Sequence, residues 1–517
     1  MKLRLHSLAT VLVLLAALPA MAGIKEGIAS YKSKDYLAAF AKLDPLARTG
    51  DGQALYYVAM LHSDGLGIEK NQAEGARLFQ RSAEQGNPNG QNALGFSYMV
   101  GEGVEKNFAT ALLWLNKAAA QGNSKAYHHL GTMHLEGWGM MKDEAQATAW
   151  FRKAADAGNA DGYKQLGNSY ELGRGVPKDM AEAVTWYRKS AEQGNAMGQY
   201  ELWRMYGQGL GVQKDEALGL EWLRKAADQG YSPAQYRLGA AYEEGKGVRQ
   251  NDRVALEWYL KAAHQGNAGG QSMSGHFYKT GRGTGQDYVE AAVWLRKAAE
   301  QDDKEAQQEL GQLYMRGVGV NKDMAQSVAW HTKAAEQGMA DAQTNLGVFY
   351  RTGDGVAKDG EKAIYWATKG ATGGNMNAAF NLGNMYEVGD AVPANGSEAF
   401  KWYLKAAQGD HPGAQYRVGV MYFQGLAIGQ DIAASIRWLR RSSDNNVMDA
   451  KFLLAKLLEA GANGAPDIDG AATLYAEAAL AGHAEARTRF LALNRSHLMK
   501  DFSAKPADMK TIIIPEF

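Results

Sequence analysis

Three histidines, His128, His129 and His134, stand together in one short stretch, the residue type that would hold a metal ion. A metal site needs ligands that converge and are themselves held by hydrogen bonds. His134 instead occupies a position that recurs along the chain as tyrosine, as does His62, and His129 is turned to the opposite side of its helix. Glu201 and Glu244 are carboxylates of the kind that cleave glycosidic bonds when brought together, but sequence does not fix their separation. The glycines of "GRGTGQ", Gly281 to Gln286, could cradle a phosphate, yet they fall where every segment of the chain has a Gly turn. No G-x-x-x-x-G-K-[ST], H-E-x-x-H or G-x-S-x-G occurs, so the local signatures of nucleotide, zinc and serine hydrolysis are missing. The sequence therefore assigns no catalytic residue, metal or cofactor, and the chain is read as a non-enzyme.

Composition narrows the class further. Lys+Arg and Asp+Glu each number 56, without the basic excess of a nucleic-acid binder. Cysteine is absent, which excludes disulfides, thiolate metal sites and a lipidated N-terminal cysteine. Lys2 and Arg4, the apolar run Leu8 to Leu18 and Ala20-Met21-Ala22 before Gly23 form the pattern of a cleavable signal peptide over residues 1–22. Cleavage would leave 54 basic and 56 acidic side chains. No other segment is apolar for long enough to span a membrane. Export to a bacterial periplasm or beyond the cell is the expected localisation.

What must position any site is a repeat. Trp114, Trp150, Trp186, Trp222, Trp258, Trp294, Trp330, Trp366, Trp402 and Trp438 stand 36 residues apart. In rows of 36 the chain aligns from Ala54 to Ala486 without insertion or deletion, giving twelve units. Each row holds two stretches with apolar or small residues at helical spacing. In the first, a Gly/Ala column (Ala54, Gly90, Ala126 and onward) is followed by Leu, then usually Gly, then Tyr. A glycine inside a helix costs about 1 kcal/mol against alanine, so its repetition predicts a close neighbour. A G-x-G turn leads to an Asx column, Asn71, Asn107, Asp143 and onward to Asp467, which reads as the N-cap of the second helix. The tryptophan, with roughly 200 Å² to bury, reads as the core block between stacked units.

The unit "AQYRLGAAYEEGKGVRQNDRVALEWYLKAAHQGN", Ala234 to Asn267, resembles a Sel-1-like repeat, a relative of the tetratricopeptide repeat. The motifs A-x-x-x-L-G-x-x-Y, G-x-G-V and A-x-x-W-x-x-K-A-A recur from about Gln53 to Gly482. The resemblance implies an all-α, right-handed α-solenoid of about twelve 36-residue helical hairpins, an exported bacterial member whose first helices line a concave side and bind other proteins. The organisation expected is a capping hairpin at 23–51, the solenoid at 52–483, a C-terminal capping helix at 484–500 bearing Arg487, Arg489 and Arg495, and an extended tail at 501–517.

Between the conserved-type columns, the first-helix positions equivalent to 93, 96 and 100 share one face least committed to the core. There stand Gln165, Asn168, Glu201, Arg204, Arg237, His276, Glu309, Gln312, Arg316, Asn345, Asn381, Asn384 and Arg417, a polar row suited to a peptide or helix and equally readable as a solvated face. Trp203 breaks the glycine column and Trp138 falls in a turn; both are candidate anchors or repacked core. The basic column Lys117, Lys153, Lys189 to Arg441 reads as cations at helix C-termini. The function expected is a protein-binding adaptor of the cell envelope with an envelope or host protein as partner. A glycan-directed, peptidoglycan-like role is the alternative. The sequence names neither the partner nor an oligomeric state.

Overall fold

The computed structural model describes residues 23–462 and 464–493; the signal peptide and extended tail expected above lie outside them, as do Asn463 and Arg495. The described residues are helical throughout, with no strand among them. The chain falls into two compact units, one ending at Asn251 and the other starting at Asp252. In the first, helices 23–32 and Tyr36–Arg48 precede helix pairs running from Gly52–Asp64 with Gln72–Glu84 to Ala196–Gln208 with Glu216–Asp228, and helix Ser232–Glu244 follows. The second opens with helix Asp252–His264. Its pairs run from Ala268–Thr280 with Tyr288–Ala299 to Met448–Glu459 with Ile468–Leu480, and helix Ala484–Ala492 closes it. Within each unit consecutive helices pack on one another, as an α-solenoid requires.

The turns are built alike. The first glycine of each G-x-G, such as Gly101 (φ 86°) or Gly281 (φ 74°), is a left-handed C-cap, a conformation that costs other residues a Cβ clash. The carbonyl of the tyrosine column then accepts the backbone N–H of the Asx residue, as Tyr98 does from Asn107 at 2.8 Å and Tyr314 from Asp323 at 3.0 Å. That Asx side chain in turn accepts from the first turn of the second helix, Asn107 from Thr110 N–H at 3.0 Å and Asp143 from Gln146 N–H at 2.9 Å. A fixed loop length is thus enforced by one hydrogen bond on either side of one residue.

The tryptophan packs between stacked units, but the most deeply buried column is the residue after it. Leu115, Phe151, Tyr187, Leu223, Leu295, His331, Tyr403 and Leu439 are all at most 1% exposed, whereas Trp114, Trp150, Trp186 and Trp222 are only partly buried. Each tryptophan packs on the apolar cluster of the preceding repeat, so the 36-residue metre belongs to the seam between units. The sequence missed this because it ranked columns by side-chain size, and the buried column varies from Ala367 to Phe151. The glycine column does mark close approach, and its neighbour is that buried residue. A Cβ on Gly167 would stand 2.6 Å from Tyr187 Cδ1, and one on Gly131 would stand 2.5 Å from Phe151 Cε1.

The basic column has a partner that the helix-end reading overlooked. Lys117, Lys153, Lys189 and Lys225 place Nζ 4.0–4.1 Å from the ring centroid of the tryptophan three residues before, a cation–π geometry that one helical turn delivers. A second column, unremarked in sequence, is a ladder of buried glutamines. Gln271 Nε2 donates to the Ala263 carbonyl at 3.2 Å and its Oε1 accepts from Gln301 at 2.7 Å. Gln307 does the same with Ala299 at 3.1 Å and Gln337 at 2.9 Å. Each repeat that carries this glutamine thereby satisfies the helix end of the one before it.

Candidate functional site

Much of the polar row on the first helices is occupied in joining neighbouring repeats. In the first unit Asn168 donates to Gln165 Oε1 at 3.0 Å and accepts from the Tyr187 hydroxyl at 2.6 Å. The same hydroxyl reaches Glu171 at 2.7 Å. Arg204, one repeat on, grips both oxygens of Glu171 at 2.5 and 2.6 Å and Glu201 at 3.0 Å. Burial opposes the Arg204 charge, but the two carboxylates more than offset it and raise its pKa. Burial and the bond to Glu171 push the Tyr187 phenol far above its ordinary value.

The second unit repeats the device. Asn384 and Glu387 accept from the Tyr403 hydroxyl at 2.5 and 2.6 Å, and Arg417 pairs with Glu387. His276 Nδ1 lies 2.9 Å, and Lys279 Nζ 2.8 Å, from Glu309 Oε1. Burial raises the Glu309 pKa, while these two partners lower it by more. Of the thirteen polar candidates, Arg237, Gln312, Arg316, Asn345 and Asn381 make no hydrogen bond or ion pair with another described residue.

Trp203 is placed differently. Gly219 stands on the facing helix, where a Cβ would lie 3.1 Å from Trp203 O and 3.4 Å from Gly207 N. The indole, half-buried, lines a cavity of about 410 Å³ with Arg204, Leu220, Leu223, Arg237 and Glu244. Tyr200 stands beside it, ring centroids 5.1 Å apart. Arg204 is held by Glu171 and Glu201, and Glu244 pairs with Lys246. Arg237, exposed, with its guanidinium 5.5 Å from the Tyr236 ring, is the lining cation left without a carboxylate among the described residues. Glu201 does not line the cavity that Glu244 lines. Gly219 and Gly207 were the overlooked members: the one breaks a column held mostly by Ala, the other a column of large side chains.

The other exception is part of the packing. Trp138 stacks on Phe108, centroids 5.8 Å apart and planes at 14°. The "GRGTGQ" loop is filled by its own arginine, with Arg282 bonded to Asp252 at 2.9 and 3.1 Å. His128 and His129 are ring neighbours at 5.3 Å, and no group of three His, Asp or Glu among the described residues could hold a metal ion. No described helix is long and apolar enough to cross a membrane.

With caps, turns and columns in view, twelve consecutive segments match the Sel1 repeat, from 52–87 and 88–123 through 412–447 to 449–483. The chain belongs to the Sel1 repeat family. Similar solved structures include a protective antigen present in uropathogenic Escherichia coli strains, with an SLR fold, 33% identical over 83% of this chain and 91% of that one, at a TM-score of 0.72. A Sel1 repeat protein from Oxalobacter formigenes is 31% identical over 59% of this chain and 89% of that one, at a TM-score of 0.48. Comparison with curated proteins finds no match. Sel1 repeat proteins are in general scaffolds for protein interaction and typically non-catalytic.

Proposed function

We propose that this Sel1 repeat protein is an exported, non-enzymatic adaptor that holds a segment of a partner protein in the cell envelope, with the Trp203 cavity as one of its contact points. The observation that carries the reading is the exchange of glycine for tryptophan at 203. Most repeats carry glycine at that column, and where tryptophan replaces it two neighbouring columns turn to glycine: Gly207, which lines the same cavity, and Gly219, which lies against the Trp203 carbonyl. An indole beside an unpaired guanidinium suits an apolar or aromatic side chain followed by an acidic one. Export rests on the basic, apolar and A-x-A pattern ahead of Gly23. That a similar chain is a protective antigen present in uropathogenic Escherichia coli strains agrees with it.

The test is affinity capture from native envelope extract by the chain Gly23 to Phe517, beside Trp203→Gly with Arg237→Ala. Trp203→Gly restores the residue other repeats carry, so folding is retained. A protein held by the first and lost by the second supports the adaptor. Equal retention by both removes the cavity from the reading, and retention of wall fragments in place of protein replaces the adaptor with a glycan binder.

A further inference from the structure

The opening repeats carry a second cavity, built on the same first-helix face but from residues of another kind. It measures about 330 Å³ and lies among helices Gly52–Asp64, Pro88–Val100 and Ser124–Glu136. Its walls are aromatic: Tyr56 lies 6.0 Å from Phe79 and Phe96 lies 5.0 Å from His129, centroid to centroid. Burial, with His128 and Lys125 nearby, pushes the His129 pKa down to about 3, so this ring is neutral at physiological pH. Burial likewise lowers the pKa of His128.

The rim is acidic. Asp64, Glu102 and Asp161 line the opening against one cation, Lys125. Among the described residues Asp161 accepts only the neutral amide of Asn195, at 2.8 Å. Asp64 and Glu102 have no ion pair among the described residues. Inside, Asn92 lines the cavity at 8% exposure, and its buried Oδ1 accepts no hydrogen bond from any described residue. A buried amide oxygen without a partner costs stability unless something entering the cavity bonds to it.

Aromatic faces, an excess of carboxylates and an amide oxygen free to accept describe a host for an organic cation. The carboxylates belong to different repeats, whose helices pack about 10 Å apart; a small amine meets one of them, and a chain with spaced cations meets several. We propose that this cavity takes a lysine or arginine side chain from a basic segment of a partner protein, anchored on Phe96 and Asn92 and steered by Asp64 and Glu102. This second site extends the adaptor reading and shares no residue with the Trp203 cavity, so either can fail alone.

The experiment is calorimetric titration of the purified protein at low salt with the peptide Gly-Lys-Gly-Lys-Gly, its doubly Nε-acetylated form and spermidine. The expected result is binding of the free peptide, at least tenfold weaker binding after acetylation, and at least tenfold weaker binding by the variant Asp64→Asn/Glu102→Gln. Both substituted residues are exposed, so the variant folds, and Trp203→Gly leaves the affinity unchanged. Phe96→Ala, checked for helicity by circular dichroism, loses binding too. Absence of binding, or equal binding by Asp64→Asn/Glu102→Gln, overturns the site. Spermidine binding as tightly as the peptide overturns the protein partner and gives the cavity to free amines.

Discussion

Gly360, the first residue of its helix, faces Ala391 in the following turn: a Cβ on Gly360 would lie 2.5 Å from the Ala391 oxygen. Elsewhere the pairing is reversed. Gly103 faces Gln72, and Gly319 faces Tyr288, with the Cβ each glycine lacks falling 2.0 Å from the partner's carbonyl oxygen. Ala391 holds φ at 74° to sit there. At these seams one of the two positions carries a Cβ and the other is glycine. Gly360→Ala is therefore expected to destabilise by about 1–3 kcal/mol through overpacking. Adding Ala391→Gly should recover at least ~0.5 kcal/mol of it, a coupling that denaturant unfolding of the four cycle members measures. Additive effects would mean that the two positions do not share the space.

Lys261 Nζ stands 3.6 Å from the Trp258 ring centroid. Lys261→Met keeps the aliphatic stem and removes the charge, so the expected loss is about 0.5–1 kcal/mol. Glu257→Gln, next to the tryptophan but outside this stack, serves as the control on the same helix. A loss of equal size in both would assign the effect to surface charge and not to the ring.

These relationships show where sequence reading reaches its limit. The helix pairs, their Asx caps and their Gly turns were legible because each demand is local: an N-cap needs an acceptor and a left-handed C-cap needs glycine, whatever lies beyond. Which column is buried is not local. Leu115, Phe151, Tyr187 and Ala367 share a position but not a size, since each is fitted to the glycine facing it. The polar row on the first helices was visible, but its pairing depends on the next repeat. Glu171 and Glu387 recruit their arginines from different columns, Arg204 and Arg417, so no single spacing announces the bond. The aromatic and acidic cavity of the opening repeats escaped for a related reason: Tyr56, Phe96 and His129 stand in three different columns of three successive repeats, and only the fold brings them to one cavity.

The glutamine ladder should be worth more than its exposed hydrogen bonds suggest. Gln307 is fully buried between the Ala299 carbonyl and Gln337 Nε2. Gln307→Leu fills similar volume but leaves both partners without their bond, with an expected cost of about 1–3 kcal/mol. Gln337→Ala, at the exposed end of the same bond, should cost under about 1 kcal/mol. Hydrogen exchange at the C-terminal end of helix Tyr288–Ala299 reads the difference. Equal protection in the two variants would make the ladder incidental.

Acid should unfold the protein earlier than its carboxylates alone require. Burial lowers the pKa of His128, His331 and His411 from the ordinary 6.5 and takes His129 to about 3. The folded chain holds these rings neutral, and the unfolded chain protonates them below about 6.5. Their contribution is thus complete above pH 6.5 and is lost as the pH falls, for His129 progressively toward about 3. Glu309, whose pKa is lowered from 4.5, loses its contribution in the same direction but only at lower pH. Between pH 6.5 and 4.5 the histidines therefore drive the fall, opposed by Asp303, whose pKa burial raises from 3.8. Tm measured across that interval should fall with acidification, and His129→Phe, which keeps a ring against Phe96 and has no proton to take up, should flatten the fall. An unchanged slope in that variant would mean that His129 is reached by water and titrates as freely in the folded chain as in the unfolded one.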